Sequence, residues 1–127
     1  MNHAAIRTAL DTKLAALGAI TVAWPGVPFT PPASGVWYKP AILPGGVDVA
    51  GGVGGSVHQN GDFQVSVFAP AGTGTTALHA AADALVAHFD RVLLASGFLH
   101  CGVPEIGPLL QEADWLQLPV TVPYTVL

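Results

Sequence analysis

Near the C-terminus, Leu116, Leu118, Val120, Val122, Tyr124 and Val126 recur at every second position, with Gln117, Thr121 and Thr125 between them. This period of two predicts a strand with one buried face. Pro119 and Pro123 also occupy intervening positions. Their missing N–H groups fall along the same long edge, so only the other edge can carry a full ladder. The expectation is a strand at the border of a sheet, regularly paired on one side.

Elsewhere the period lengthens to that of a helix. Ile6, Leu10, Leu14 and Leu17, widened by Ala9, predict a helix over 3–17, with Asn2 as its cap and Gly18 just beyond its end. Arg7 and Asp11 are four apart on its outer face. Leu78, Ala82, Leu85, Phe89 and Val92 predict a second helix over 76–94, capped by Thr75 or Thr76 and closed by Ser96-Gly97. Ala77, Ala80, Ala81, Ala84 and Ala87 give it a second, small face suited to close packing on a sheet or a neighbouring subunit. Shorter apolar runs predict strands over 19–24 (Ile20, Val22, Trp24), 36–43 (Val36, Tyr38, Ile42), 63–69 (Phe63, Val65, Val67) and 98–103. The order helix, three strands, helix, two strands implies a single α+β domain spanning 1–127. Its antiparallel or mixed sheet of about five strands carries both helices on one face.

Two segments break the periodicity. Pro25, Pro28, Pro31 and Pro32 forbid a helix or central strand over 24–32 and leave an extended arm anchored by Trp24, Val27 and Phe29. Such an arm reads either as a polyproline ligand for a partner or as a packed linker. Residues 44–61 are dense in glycine, with Val47, Val49, Val53 and Val57 interleaved. This predicts a flexible hairpin loop, which either orders against a partner through its valines or stays disordered.

Composition changes the picture in one respect. Charged residues make up 9% of the 127-residue chain and hydrophobic ones 51%, against about 25% charged in an ordinary soluble protein. A small monomer would have trouble covering itself with polar groups. No apolar run of about 18 residues exists to cross a membrane, so burial of surface between subunits is the better account. The formal charge of −4 comes from scattered carboxylates. With Arg7, Lys13, Lys39 and Arg91 as the cations, no basic patch is available for tight nucleic-acid binding. The single cysteine, Cys101, excludes an intramolecular disulfide, and no signal peptide precedes the first helix; both suit a cytoplasmic origin.

Candidate chemistry is sparse. Gly72-Thr73-Gly74-Thr75-Thr76 precedes a helix but lacks the lysine and spacing of a phosphate loop. His3, His58, His79, His88 and His100 are dispersed, and His100-Cys101 would point to opposite faces of a strand, poor geometry for a metal. His79 and Asp83 share a helix face and read as a surface pair. Ser56 lies outside any nucleophile elbow, and Asp114 beside Trp115 has no partner carboxylate. No catalytic residue, cofactor site or metal site is expected.

The opening helix from Ala4-Ala5-Ile6-Arg7, the segment Trp24-Pro25-Gly26-Val27-Pro28-Phe29-Thr30-Pro31-Pro32 and the strand Gly61-Asp62-Phe63-Gln64-Val65-Ser66-Val67 carry a resemblance. So do Ala87-His88-Phe89, Ile106-Gly107-Pro108, Asp114-Trp115 and Val120-Thr121-Val122-Pro123-Tyr124. In this order, across nearly the whole chain, they resemble the tail-terminator proteins of long-tailed bacteriophages, the lambda-type group. The resemblance implies a virion protein without enzymatic activity. It would form a homo-oligomeric ring of about six copies, made in the host cytoplasm and seated at the head-proximal end of the tail. Such a ring would stop polymerisation of the tail tube protein and offer a joining surface to the head–tail connector. DNA would cross its lumen without specific binding, as suits an acidic subunit. Trp24, Phe29, Val47, Val49, Val53 and Val57 are then the candidate subunit or tail-tube interface. The glycine-rich 44–61 stretch and the shortage of charge depart from the family pattern. Another neck or tail-completion protein is the alternative nearest in kind. A small ligand-binding α+β domain is the alternative of a different class.

Overall fold

The computed structural model describes residues 2–50 and 56–126. In chain order these form α1 (His3–Ala15), β1 (Trp37–Ala50), β2 (Ser56–Pro70), α2 (Thr76–Phe89), β3 (Leu93–Leu94), β4 (Leu99–Cys101), β5 (Glu105–Ile106), β6 (Leu110–Gln111) and β7 (Trp115–Val126). A 3-10 turn, Ala95–Gly97, joins β3 to β4. The α+β class is as expected, and the pairings between strands are antiparallel. The sheet has seven strands rather than about five, in the order β1-β2-β7-β4-β3, with β5 and β6 also against β7.

The strand expected at the border is therefore central. Its β2 side carries an unbroken register from Gln59↔Val126 to Pro70↔Trp115. The other side is divided among β4, β5 and β6, each only two or three residues long. The prolines explain the division. Gly102 N–H donates to the Pro123 carbonyl at 2.8 Å, and Gly107 N–H to the Pro119 carbonyl at 2.8 Å. In a strand, a residue's N–H and C=O point to the same side, so the missing donors of both prolines face this edge. It can be paired only in short pieces. A glycine stands at each interruption because a Cβ at Gly102 would lie 2.9 Å from Pro123 Cγ, and one at Gly107 would lie 2.9 Å from Pro119 Cγ. Regular pairing on one side only is as expected, but β7 is central rather than a border strand, because short strands pair along its divided edge.

The core forms where the two periods meet. Leu116, Leu118, Val120, Val122, Tyr124 and Val126 of β7 are buried beside Phe63, Val65 and Val67 of β2. Ile6, Leu10 and Leu14 of α1 and Leu78, Ala82, Leu85 and Phe89 of α2 belong to the same cluster. Fully burying each large side chain contributes about 1.5–3 kcal/mol. Asn2 Oδ1 accepts from Ala5 N–H at 2.8 Å, the cap expected of it. His88 Nε2 lies 2.5 Å from the Lys13 carbonyl and ties α2 to the end of α1.

Three expected elements differ. Residues 19–24 form no strand; Val22 makes a single parallel bridge to Tyr38, and the prolines that follow prevent its extension. α2 ends at Phe89 instead of 94. Arg91 adopts φ 51°, and Val92 C=O accepts from Cys101 N–H at 2.9 Å, so the segment leaves the helix to pair with β4. The stretch 44–61 is a hairpin, but its described residues are ladder rather than loop. After a bulge at Pro44/Gly46, register runs from Gly46↔Asn60 to Ala50↔Ser56. Cross-strand hydrogen bonding overrides the low strand propensity of glycine here.

Candidate functional site

The face of the sheet turned away from the helices is not plain polar surface. Trp37 of β1 stands directly opposite Phe68 of β2, and their rings stack 4.2 Å apart at 8°. Trp115 of β7 meets Trp37 edge-on at 5.7 Å. Phe29, from the proline-rich arm, completes the group at 4.9 Å from Trp37. Offset and edge-on aromatic contacts add about 0.5–1.5 kcal/mol each beyond simple burial. Sequence reading missed this cluster, although Trp37 and Phe68 are both out of phase with the core residues of their strands. That phase was the signal.

The arm is held beside β1 by Ala23 N–H donating to Tyr38 C=O at 2.8 Å and Tyr38 N–H to Thr21 C=O at 2.9 Å. It then turns at Gly26, whose φ of 76° suits glycine. Between arm and strand lies a groove of about 500 Å³, bounded by Trp24, Val27, Phe29, Pro31, Trp37 and Lys39. Of the interface residues expected from sequence, Trp24 and Phe29 are thus brought together in one site, each half-buried. The Trp37 indole N–H in this wall is buried and has no acceptor among the described residues. Lys39 is exposed and forms no ion pair among the described residues.

The valines lie elsewhere. Val47 pairs with Gln59 and Val49 with Val57 in the outer ladder of the hairpin, while Val53 falls outside the described residues. Ten residues of strand separate Trp37 from Val47, roughly 30 Å at the usual rise. The groove therefore does not form one site with Val47, Val49 and Val57. The β2–β7 register stops at Gln59↔Val126, so among the described residues the hairpin beyond it is a two-stranded arm.

A third surface lies at the opposite side of the sheet from β1. Val103, Ile106, Leu109 and Leu110, in and around β5 and β6, are all exposed, as are Glu105 and Glu112. Leu93 and Phe98 are exposed beyond them, at 62% and 59%. Exposed apolar side chains gathered along one edge make that edge a candidate interaction site. The 104–113 stretch gave no periodic signal because its side chains belong to very short strands and turns.

Catalytic chemistry finds little to work with. Arg7 and Asp11 pair at 3.4 Å beside a crevice that includes His3; burial raises the Asp11 carboxyl above its ordinary range despite the guanidinium. His79 and Asp83 are exposed and form no ion pair among the described residues. His100 Nε2 lies 2.8 Å from the Gly97 carbonyl, while Cys101 points into the core, where burial pushes its thiol up to about 11. Among the described residues, no three His, Cys, Asp or Glu side chains converge as metal ligands. Thr73 Oγ1 donates to the Pro70 carbonyl at 2.7 Å, so the threonine-glycine run serves a turn. No helix among the described residues is long and apolar enough to cross a membrane.

The family of the phage tail terminator protein matches residues 3–124. One solved chain is similar over 100% of this chain and 96% of its own, with TM-score 0.78 and 27% identity. A chain from the virion of a native gene transfer agent particle shares the fold, with TM-score 0.53 and 22% identity over 94% of this chain and 92% of its own. No curated protein sequence is similar enough to match. With an α+β sheet that offers unlike surfaces at its two edges and a family match over nearly its whole length, this chain belongs to the phage tail terminator protein family, structural rather than enzymatic proteins of the phage tail.

Proposed function

We propose that the chain forms a closed ring of about six copies at the head-proximal end of the tail tube. There it stops tube polymerisation and presents a joining surface to the head–tail connector. The observation that carries this reading is the pair of unlike, exposed surfaces at opposite edges of one sheet: the aromatic groove beside β1 and the apolar flank around β5 and β6. A two-fold dimer needs one self-complementary patch, whereas a ring needs two different ones. Family membership supplies the tail context. The two-stranded arm that carries Val47, Val49 and Val57 remains for the tail tube or a neighbouring copy. A subunit with net charge −4 suits a lumen through which DNA passes without being held.

The experiment is removal of the chain during phage assembly, followed by electron microscopy of the products. Over-long tubes without heads support the reading. Tails of normal length that fail to acquire heads would move the chain to a different joint of the neck. Tube growth that is halted normally in its absence would overturn the terminator role.

A further inference from the structure

We propose that the ring contact is made by the flank Val103–Glu112 of one copy seated in the groove between the proline-rich arm and β1 of the next, with Glu105 paired to Lys39. This inference rests on the ring reading and specifies its interface.

Position comes first. β1 and the β4–β6 side are opposite edges of the same sheet, so a contact between them is head-to-tail by construction and repeats around an axis. Chemistry agrees with position. The groove walls are aromatic and prolyl (Trp24, Phe29, Pro31, Trp37), and the flank supplies exposed aliphatic side chains (Val103, Ile106, Leu109, Leu110) to fill them. Charge agrees as well. Among the described residues, Arg7 pairs with Asp11 and Arg91 with Asp90, while Lys39, beside the groove, pairs with no carboxylate. The flank carries Glu105 and Glu112, exposed and also without ion pairs among the described residues. An acidic apolar flank and a groove with an unpaired lysine are complementary, and such complementarity fixes partner and register more than it adds affinity. Finally, the Trp37 indole N–H lacks an acceptor in this wall, and buried donors are ordinarily satisfied. Seating a neighbouring chain, with a small shift of the arm, would bring main-chain carbonyls to it.

Charge reversal tests the contact. Lys39→Glu alone and Glu105→Lys alone each place like charges at every interface of a ring. Each is expected to weaken self-association about tenfold or more, read as the concentration at which ring mass appears in light scattering. Mixed in equal amounts, the two variants present opposite charges at every contact of an alternating ring and are expected to recover it. Because each variant is then shown competent by the other, loss of folding cannot imitate this result. Rings formed normally by both variants alone, or no recovery on mixing, would overturn the proposed interface while leaving the ring reading intact. A wild-type chain that stays monomeric both alone and on tail tubes would overturn the ring reading and this inference with it.

Discussion

Substituting Gly107 by alanine tests the claim that two prolines divide the far edge of β7 and that glycine is required where they do. The new Cβ would lie 2.9 Å from Pro119 Cγ and 3.5 Å from the Pro119 carbonyl oxygen. The backbone cannot simply withdraw, because Gly107 N–H is bonded to that same carbonyl at 2.8 Å. Overpacking of this kind costs about 1–3 kcal/mol. Gly107 does not lie in the left-handed region, so alanine also restricts the unfolded chain, which returns about 0.4–1 kcal/mol. The net expectation is a loss of about 1–2 kcal/mol. In a Pro119→Ala background the ring carbon is gone, and the same Gly107→Ala change should be neutral or mildly stabilising. The measured quantity is the coupling energy of the cycle, about 1–3 kcal/mol. Urea unfolding followed by tryptophan fluorescence reads it, with a midpoint shift on the order of 0.5–1.5 M for Gly107→Ala alone. Concentrations should be low enough for mass to stay constant. Equal cost in both backgrounds would refute the reasoning. Gly102 and Pro123, with the same 2.9 Å approach, provide an independent repeat.

Phe89→Ala, which empties a fully buried site 5.7 Å from the Phe63 ring, should cost about 3–5 kcal/mol, measured by the same unfolding curves. Replacing His88 by alanine removes the tie between α2 and the Lys13 carbonyl and should cost about 0.5–1.5 kcal/mol; no change in midpoint would argue against that bond. The Cys101 thiol should resist a thiol reagent in the folded protein and react fast in urea, since burial raises it from 9.0 to about 11. The sign of its pH effect follows. Between pH 9.0 and about 11 the unfolded thiol ionises first, so the stability it contributes is present below this window and is lost through it. Tyr38 and Tyr124, also raised by burial, extend the loss above pH 10.0. Cys101→Ala should flatten the lower part of that alkaline fall.

Period carried most of the fold. The two helices, the buried faces of β2 and β7 and the α+β class could be read directly from spacing, because core burial imposes that spacing. Pairing beyond local pattern could not. β4 falls within the strand expected over 98–103, but β5 and β6 exist because β7 offers an edge divided by Pro119 and Pro123, and a run of two residues does not announce itself by periodicity. The 44–61 stretch read as loop because glycine disfavours strands locally, yet Val47↔Gln59 and Val49↔Val57 are held in ladder by cross-strand bonds. The candidate site was half visible. Trp24 and Phe29 stood out as large apolar residues in a segment too rich in proline to be core. Trp37, Lys39 and the Val103–Leu110 flank did not, since their roles depend on which sheet edges the topology leaves exposed.

Assembly into a ring can be measured as absolute mass by light scattering, from dilute to concentrated protein and with tail tubes present. The expected result is a rise from the 12.9 kDa chain to a closed species of about six copies with no stable dimer between. A dimer that persists at every concentration, on tubes or off them, would show a two-fold interface and contradict ring assembly.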